Sequence, residues 1–426
     1  MKNSGIEWIG EIPDSWELQP LRGHLTEIKE SNDPIQTTQV LSLTNKLGVI
    51  PYEEKGEQGN KSKENHDEYK LAFPNTIVAN SMNILIGSVG ICNYFGCVSP
   101  VYYVFKPKNE KELKFLDYIF QSQPFQRELR RYAKGILEIR LRVSANDILR
   151  RQVAFPSVEQ QIHIVDFLEN KLSQVDELIA NQQAQIEKLK EYKQSVITEA
   201  VTKGLDKSAP LKDSGIEWIG EINNKHSVWK LKHLLSSPMM YGANESGEIY
   251  SENSVRYIRI TDITTDNLLK DTEENLYLSI EKAKPYLLKD KDILFARSGG
   301  TVGKSFIYKD EYGPSAFAGY LIKAECDKER LLPEYLFYYT QSSLYELWKN
   351  MIFIQATIQN IGANKYSNME IVIADIERQQ QIVDYLDEKC GKIDRLIAIK
   401  QEKIEKLQEY KKSLIYEYVT GKKEVV

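Results

Sequence analysis

Arg297-Ser-Gly-Gly-Thr-Val-Gly-Lys-Ser305 is the stretch of this 426-residue chain that looks most like reactive chemistry. A glycine-rich turn closing on Lys-Ser can cradle phosphate through backbone N–H groups while the lysine reaches the phosphoryl oxygens. Here the spacing fails, because such a loop needs glycine five residues before Gly303 and Ser298 stands there. The corresponding first-half stretch, Ile84-Leu-Ile-Gly-Ser-Val-Gly90, has no lysine. What is left is a tight turn after a strand, with Arg297 and Lys304 available to phosphate. Pro13-Asp14 followed by Glu27-Ile-Lys29 imitates a metal-dependent nuclease signature, but neither acid recurs in the second half, where Asn223 and Asn224 follow Ile222. The chain holds no Asn-Pro-Pro-aromatic or Asp-Pro-Pro-Tyr stretch, so the adenine methyltransferase motif is missing. Its histidines and its four cysteines (Cys92, Cys97, Cys326, Cys390) show no metal-ligand spacing. No catalytic residue and no metal site is expected.

Binding chemistry is better represented. Arg127 to Arg151 contains eight Arg or Lys against three acids, with Arg130, Arg131, Lys134, Arg140 and Arg142 at its centre. Arginine contacts phosphate and can read guanine edges with two parallel hydrogen bonds. The second half has its own basic cluster in a different place: Lys284, Lys289, Lys291, Arg297, Lys304 and Lys309. Side chains suited to base edges lie near both. Asn80, Ser81 and Asn83 follow a strand in the first half, and Ser298, Gln355, Thr357 and Gln359 accompany the second. Asparagine and glutamine suit adenine. The bland reading of each is a solvated surface or an ordinary loop.

The elements that must position these residues are written twice. Ser4-Gly-Ile-Glu-Trp-Ile-Gly-Glu-Ile12 returns letter for letter as Ser214 to Ile222, and the block from Glu159 to Gly204 returns from Glu377 to Lys422. Repeats on this scale predict two tandem half-molecules and suggest pseudo-twofold symmetry. The fold class is α+β. A mixed globular unit is expected over 1–158, a long helix over 159–206, a linker and second unit over 207–376, and a second long helix over 377–426. Strands are expected at Val40–Leu43, Thr76–Ala79 and Val101–Phe105, then at Arg256–Ile260, Asp292–Ala296 and Gly319–Ala324. One helix is expected near Glu112–Lys134 and another near Pro333–Asn350. Ser88-Val-Gly90 aligns with Thr301-Val-Gly303, and Gln121-Ser122 with Gln341-Ser342.

In the repeated helices an apolar seam steps by fours and threes. It runs Leu168, Leu172, Val175, Ile179, Gln182, Ile186, Leu189, Lys193, Val196, Ala200 in the first copy, and from Leu386 to Tyr418 in the second. Its polar exceptions fall at equivalent places, Gln182 with Lys400 and Lys193 with Lys411. A sustained heptad predicts a coiled coil, most simply between the two copies. About 45 residues of helix reach roughly 65–70 Å. Trp8 and Trp218, in the identical strip, and the repeated tyrosines Tyr192 and Tyr410 are candidate partner contacts, since aromatic residues anchor interfaces. Packing against the long helices explains the tryptophans equally well.

The hydrophobic fraction of 42% and charged fraction of 27% are ordinary for globular protein. A net charge of -5 argues against a uniformly basic nucleic-acid binder but permits basic faces. No apolar run is long enough for a transmembrane helix, and Met1-Lys-Asn-Ser-Gly leads into no secretory signal. A cytoplasmic setting is expected.

Two diverged units, each followed by a repeated long helix, resemble the specificity subunit of type I restriction–modification systems. Asp213-Ser-Gly-Ile-Glu-Trp-Ile-Gly-Glu-Ile222 with Trp229-Lys-Leu is similar to that family's entry into a target recognition domain. Phe155-Pro-Ser-Val-Glu-Gln-Gln161 is similar to its entry into the conserved helix, whereas Ile373-Ala-Asp-Ile-Glu-Arg-Gln379 lacks the proline and the Glu-Gln pair. The resemblance implies two target recognition domains, each reading one half of a split, asymmetric target in double-stranded DNA. It implies antiparallel helices that space them and dock two copies of the methylation subunit, with a restriction subunit joining the complex. S-adenosylmethionine, ATP and magnesium would then belong to the partner subunits, and this chain would bind no cofactor. The rival expectation is a coiled-coil scaffold that binds proteins and no DNA.

Overall fold

The computed structural model describes residues 1–44, 47–55, 66–135, 141–264, 267–270, 272, 274–354 and 359–425. The chain forms two compact units, one of residues 1–183 with 401–426 and one of residues 184–400. Each unit therefore takes part of both long helices, so the units cut across the expected boundaries.

In the first unit, β-branched and aromatic residues build a four-stranded antiparallel sheet. Its strands are β1 (Leu25–Ile28), β2 (Thr76–Asn80), β3 (Val89–Cys92) and β4 (Tyr102–Pro107), in the order β1-β4-β2-β3. Every residue of β2 is buried, as a central strand covered on both faces requires. Glu17–Pro20 pairs antiparallel with Gln152–Phe155, which closes the unit before the long helix begins. The second unit repeats this plan with β5 (Met240–Tyr241), β6 (Ile293–Ala296), β7 (Ser305–Ile307) and β8 (Leu321–Ala324), in the order β5-β8-β6-β7. Ser227–Lys230 pairs with Glu370–Ile373 as the closing ribbon. A three-stranded sheet of Ser254–Ile258, Tyr277–Ser279 and Ser315–Phe317 is added in this unit.

Where one helix was expected in each unit, two are found. Leu113–Gln121 is followed by Gln123–Arg130, and Pro333–Tyr339 by Ser343–Ile354. The break has one cause in both. Ser122 and Ser342 are buried, and their hydroxyls donate to the carbonyls of Ile119 and Tyr339, three residues back. Such a local bond competes with the helical ladder.

The long helices are α1 (Val158–Lys203) and α2 (Ile376–Val419). Their seam positions, from Leu168 to Ala200 and from Leu386 to Tyr418, are buried or half-buried throughout. The starts are built alike despite the differing letters. Ser157 Oγ accepts from the Gln160 N–H, and Asp375 Oδ1 from that of Arg378. Gln161 and Gln379, both buried, turn their amides back to the carbonyls of Pro156 and Ala374. The absent proline therefore costs the second copy nothing that its start depends on.

In the first unit the end of α2 joins the core, where Leu414, Ile415, Tyr418 and Val419 pack with Ile9, Ile12 and Trp16. In the second the end of α1 does so, through Val196, Ile197, Ala200 and Val201 with Ile219 and Ile222.

Candidate nucleic-acid interface

Hydrogen bonds identify equivalent positions in the two units more firmly than letters do. Ser81 N donates to Val101 O at the end of β2, and Arg297 N to Tyr320 O at the end of β6. Val143 N donates to Ser81 O, and Ile361 N to Arg297 O. At the far side Asn80 N donates to Ser88 O, and Ala296 N to Lys304 O. Residues 81–88 and 297–304 are thus the same loop, of equal length, joining the second and third strands of the sheet. Gly87 and Gly303 fall together, with φ of 85° and 83°, a region that glycine enters without steric cost. The alignment of Gly90 with Gly303 was three residues out. The two stretches share only a Val-Gly dipeptide, and the strand register corrects the pairing.

A second segment lies beside this loop in each unit. In the first unit Lys134 and Arg142 face each other and exchange both backbone hydrogen bonds, at 2.8 and 2.9 Å. Both are exposed, and among the described residues no carboxylate pairs with either. Arg140 lies outside the described residues. In the second unit the matching segment ends at Gln359, which is exposed, and Asn360, which bridges Ser298. Gln355 and Thr357 lie outside the described residues. The structure therefore brings Ser81 and Asn83 together with Lys134 and Arg142, and Arg297, Ser298 and Lys304 together with the 359–361 segment.

The expected residues separate on inspection. Asn80 and Ser81 are buried, and Asn80 Oδ1 accepts from the Met82 N–H, so they shape the turn rather than present an edge. Asn83 is exposed. Arg131 is committed to Glu7 at 2.6 Å and to Glu128 at 3.4 Å, and its guanidinium holds the Glu7 carboxyl below the usual range. Arg130 is exposed on the same helix. In the second cluster Lys289 pairs with Glu325, Lys291 with Glu334 and Lys309 with Glu311. That leaves Lys284, Arg297 and Lys304, which no carboxylate pairs among the described residues; of these only Arg297 and Lys304 lie in the loop. The Arg297 guanidinium stands 4.9 Å from the centre of the Tyr241 ring, and its Nε is buried with no hydrogen-bond partner. The Tyr241 hydroxyl accepts from the Ala363 N–H, so the ring is fixed. Sequence reasoning missed Tyr241, exposed Tyr320 and exposed Ile86. Only the equal loop lengths could have pointed to Ile86.

Of the candidate partner contacts, Trp8 and Trp218 are half-buried against the cores of their units, while Ile9 and Ile219 beside them are buried. The Tyr416 hydroxyl donates to Trp8 O at 3.1 Å. Tyr192 and Tyr410 are each 48% exposed, and Leu178 and Leu396 form a second exposed equivalent pair. Ion pairs also recur at equivalent positions: Lys411 with Asp176 at 2.5 Å in the first unit, and Lys193 with Asp394 at 2.8 Å in the second. No group of His, Cys, Asp or Glu among the described residues could hold a metal ion. No described helix is long and apolar enough to cross a membrane.

By fold each unit is an α+β body that includes part of both long helices. Residues 239–409 match the family described as Type I restriction modification DNA specificity domain. The MjaVIII specificity subunit of Methanocaldococcus jannaschii, a type I restriction enzyme, is 26% identical over 277 residues, 64% of this chain and 62% of that one. The StySPI specificity subunit of Salmonella potsdam is 21% identical over 248 residues, 57% and 51% of the two chains. The matched stretch spans less than two thirds of either relative. Among solved structures, a chain from work on complex assembly and conformational transition of the type I R-M system superposes with a TM-score of 0.70 at 14% identity, covering 96% of this chain and 98% of that one. The HsdS subunit from Thermoanaerobacter tengcongensis gives 0.50 at 14%, covering 99% and 100%. Over residues 239–409 the chain is thus similar to the type I restriction–modification specificity family, and its fold is similar to that of solved chains from such systems.

Proposed function

We propose that this chain is the DNA sequence-specificity subunit of a type I restriction–modification complex. Each unit reads one half of a bipartite, asymmetric target in double-stranded DNA. The observation that carries this reading is one loop plan with two chemistries. Residues 81–88 and 297–304 share length and hydrogen-bond frame but differ in charge, and each lies beside a second segment bearing exposed cationic or amide side chains. Equal frames with unlike side chains suit unlike half-sites. Lys134, Arg142, Arg297 and Lys304 supply phosphate or base contacts, with Asn83, Ser298 and Gln359 as neutral readers.

The two long helices pair as an antiparallel coiled coil with pseudo-twofold symmetry. The ion pairs Lys411–Asp176 and Lys193–Asp394 support it, because reciprocal contacts between equivalent residues are what a twofold relation produces. Two copies of the methylation subunit dock on the repeated surfaces that carry Tyr192 and Tyr410, Leu178 and Leu396, and Trp8 and Trp218. A restriction subunit completes the complex in the cytoplasm. The chain contributes recognition and assembly, while S-adenosylmethionine, ATP and magnesium act on its partners.

The test is co-expression with a methylation subunit of the same system, followed by sequencing of host DNA for N6-methyladenine. A split, asymmetric methylated motif that disappears on deleting this gene is expected. A stable complex that yields no such motif would favour the non-catalytic scaffold instead.

A further inference from the structure

We infer that the two equivalent loops address different base pairs: 297–304 reads a guanine through Arg297, and 81–88 reads an A·T pair through Asn83 and Ile86. This rests on the proposed DNA-reading role of the units and goes beyond it by assigning base chemistry to each half-site.

Position for position, the first loop is Ser-Met-Asn-Ile-Leu-Ile-Gly-Ser and carries no charge, while the second is Arg-Ser-Gly-Gly-Thr-Val-Gly-Lys and carries two cations. Ser81 and Arg297 occupy the same point in the frame, immediately after a buried central strand. Arg297 is held there by backbone hydrogen bonds on both sides, to Tyr320 and from Ile361. Its guanidinium lies over the Tyr241 ring; Nη1 donates to Gly319 O at 3.5 Å, Nε is unpartnered, and no carboxylate is committed to it among the described residues. A planar donor fork that is pre-oriented and not spent on an internal acid matches the O6 and N7 acceptors of guanine. The loop tip beyond it, Gly299 and Gly300, has nothing within 4 Å of where a Cβ would stand, so no side chain there obstructs an approaching groove.

The first loop has the opposite equipment. Asn83 is exposed and offers the donor and acceptor pair that matches adenine N7 and N6, and its side chain caps no backbone group of the turn it begins. Ile86 is 67% exposed at the same tip, although it is a branched apolar side chain flanked by the buried residues Ile84 and Ser88. An isolated apolar group beside an amide fits the thymine methyl. No arginine in this loop can take the guanine role.

The full chain is to be tested with its methylation subunit in cells, reading the N6-methyladenine motif of wild type, R297A, R297K and N83A. The wild-type motif is expected to contain a guanine in the half-site that follows the second unit when units are exchanged. Both Arg297 variants should relax preference at that one base pair, on the order of ten- to a hundredfold, and leave the other half-site intact. N83A should relax an A·T position in the other half-site only. R297K keeps the charge and the aliphatic stem, so it separates lost folding from lost bidentate contact. A wild-type motif with no guanine in that half, or an unchanged motif in R297K, overturns the inference while the recognition role stands. No wild-type motif at all overturns both.

Discussion

Asp117 occupies in the first unit the place that Phe337 holds in the second, four residues before the paired Gln121 and Gln341. An apolar site has thus been given a carboxyl. One oxygen accepts from Gln121 Nε2 at 2.5 Å, and the other is buried with no partner. Burial pushes the group up to about 7, far above its ordinary value of 3.8. A folded-state pKa above the unfolded one means that the native state binds the proton more tightly. Stability is therefore greatest below the ordinary value, falls as pH rises toward 7, and stays reduced above it. D117N should stabilise the first unit by on the order of 2 kcal/mol at pH 8 and by little at pH 4. Urea denaturation at the two pH values checks this, and an equal gain at both would refute it. The same scale explains why the candidate site residues are placed so differently. Asn80, Asn83 and Arg131 are all polar in the sequence, but Asn80 is buried, Arg131 is engaged by Glu7 and Asn83 is exposed. Burial and pairing depend on residues far away in the chain.

At the scale of elements, the start of α2 rests on Gln379. Its Nε2 donates to Arg330 O and Ala374 O, both at 2.8 Å, and its Oε1 accepts from the Leu332 N–H at 2.9 Å. The residue is fully buried, so Q379A strands three backbone groups. We expect a cost of about 2–4 kcal/mol, measured as a lowered denaturation midpoint. Gln161 makes fewer good bonds, at 3.2 Å to Pro156 O and 3.4 Å to Glu112, with its Oε1 unpartnered. Q161A should cost less, and the reverse order would contradict this account. The long helices were legible because heptad spacing is local and repeated forty-odd residues long. The two shorter helices of each unit were read as one, because a buried serine that breaks a ladder looks like any helix-compatible residue until its hydroxyl finds a carbonyl.

At the scale of the molecule, the proposed two-reader role predicts that the units can be exchanged separately. Replacing residues 1–158 by the corresponding unit of another family member should change one half-site and preserve the other. Motif sequencing after N6-methyladenine detection reads this directly. Change in both halves, or in neither, would defeat the two-reader account. The swap is reasonable because the core of the first unit is closed by its own ribbon, Glu17–Pro20 with Gln152–Phe155, before α1 begins. The new unit must still accept the ends of both helices, since Leu168, Leu172, Leu414 and Tyr418 belong to that core.

The sequence alone determined the duplication, the α+β character and the long helices, and it marked two stretches rich in cationic side chains. All of these are written in local period, exact repetition or composition. Tertiary structure decided which residues are equivalent, which cations are spent on internal acids, and that half of each long helix belongs to each unit. Gly87 meets Gly303, rather than Gly90, only because the strand register sets it there. Lys289 and Lys291 lose their claim to an external anion only because Glu325 and Glu334 come within reach. Register and ion pairing are long-range relations, set by packing between segments that composition and periodicity treat as independent.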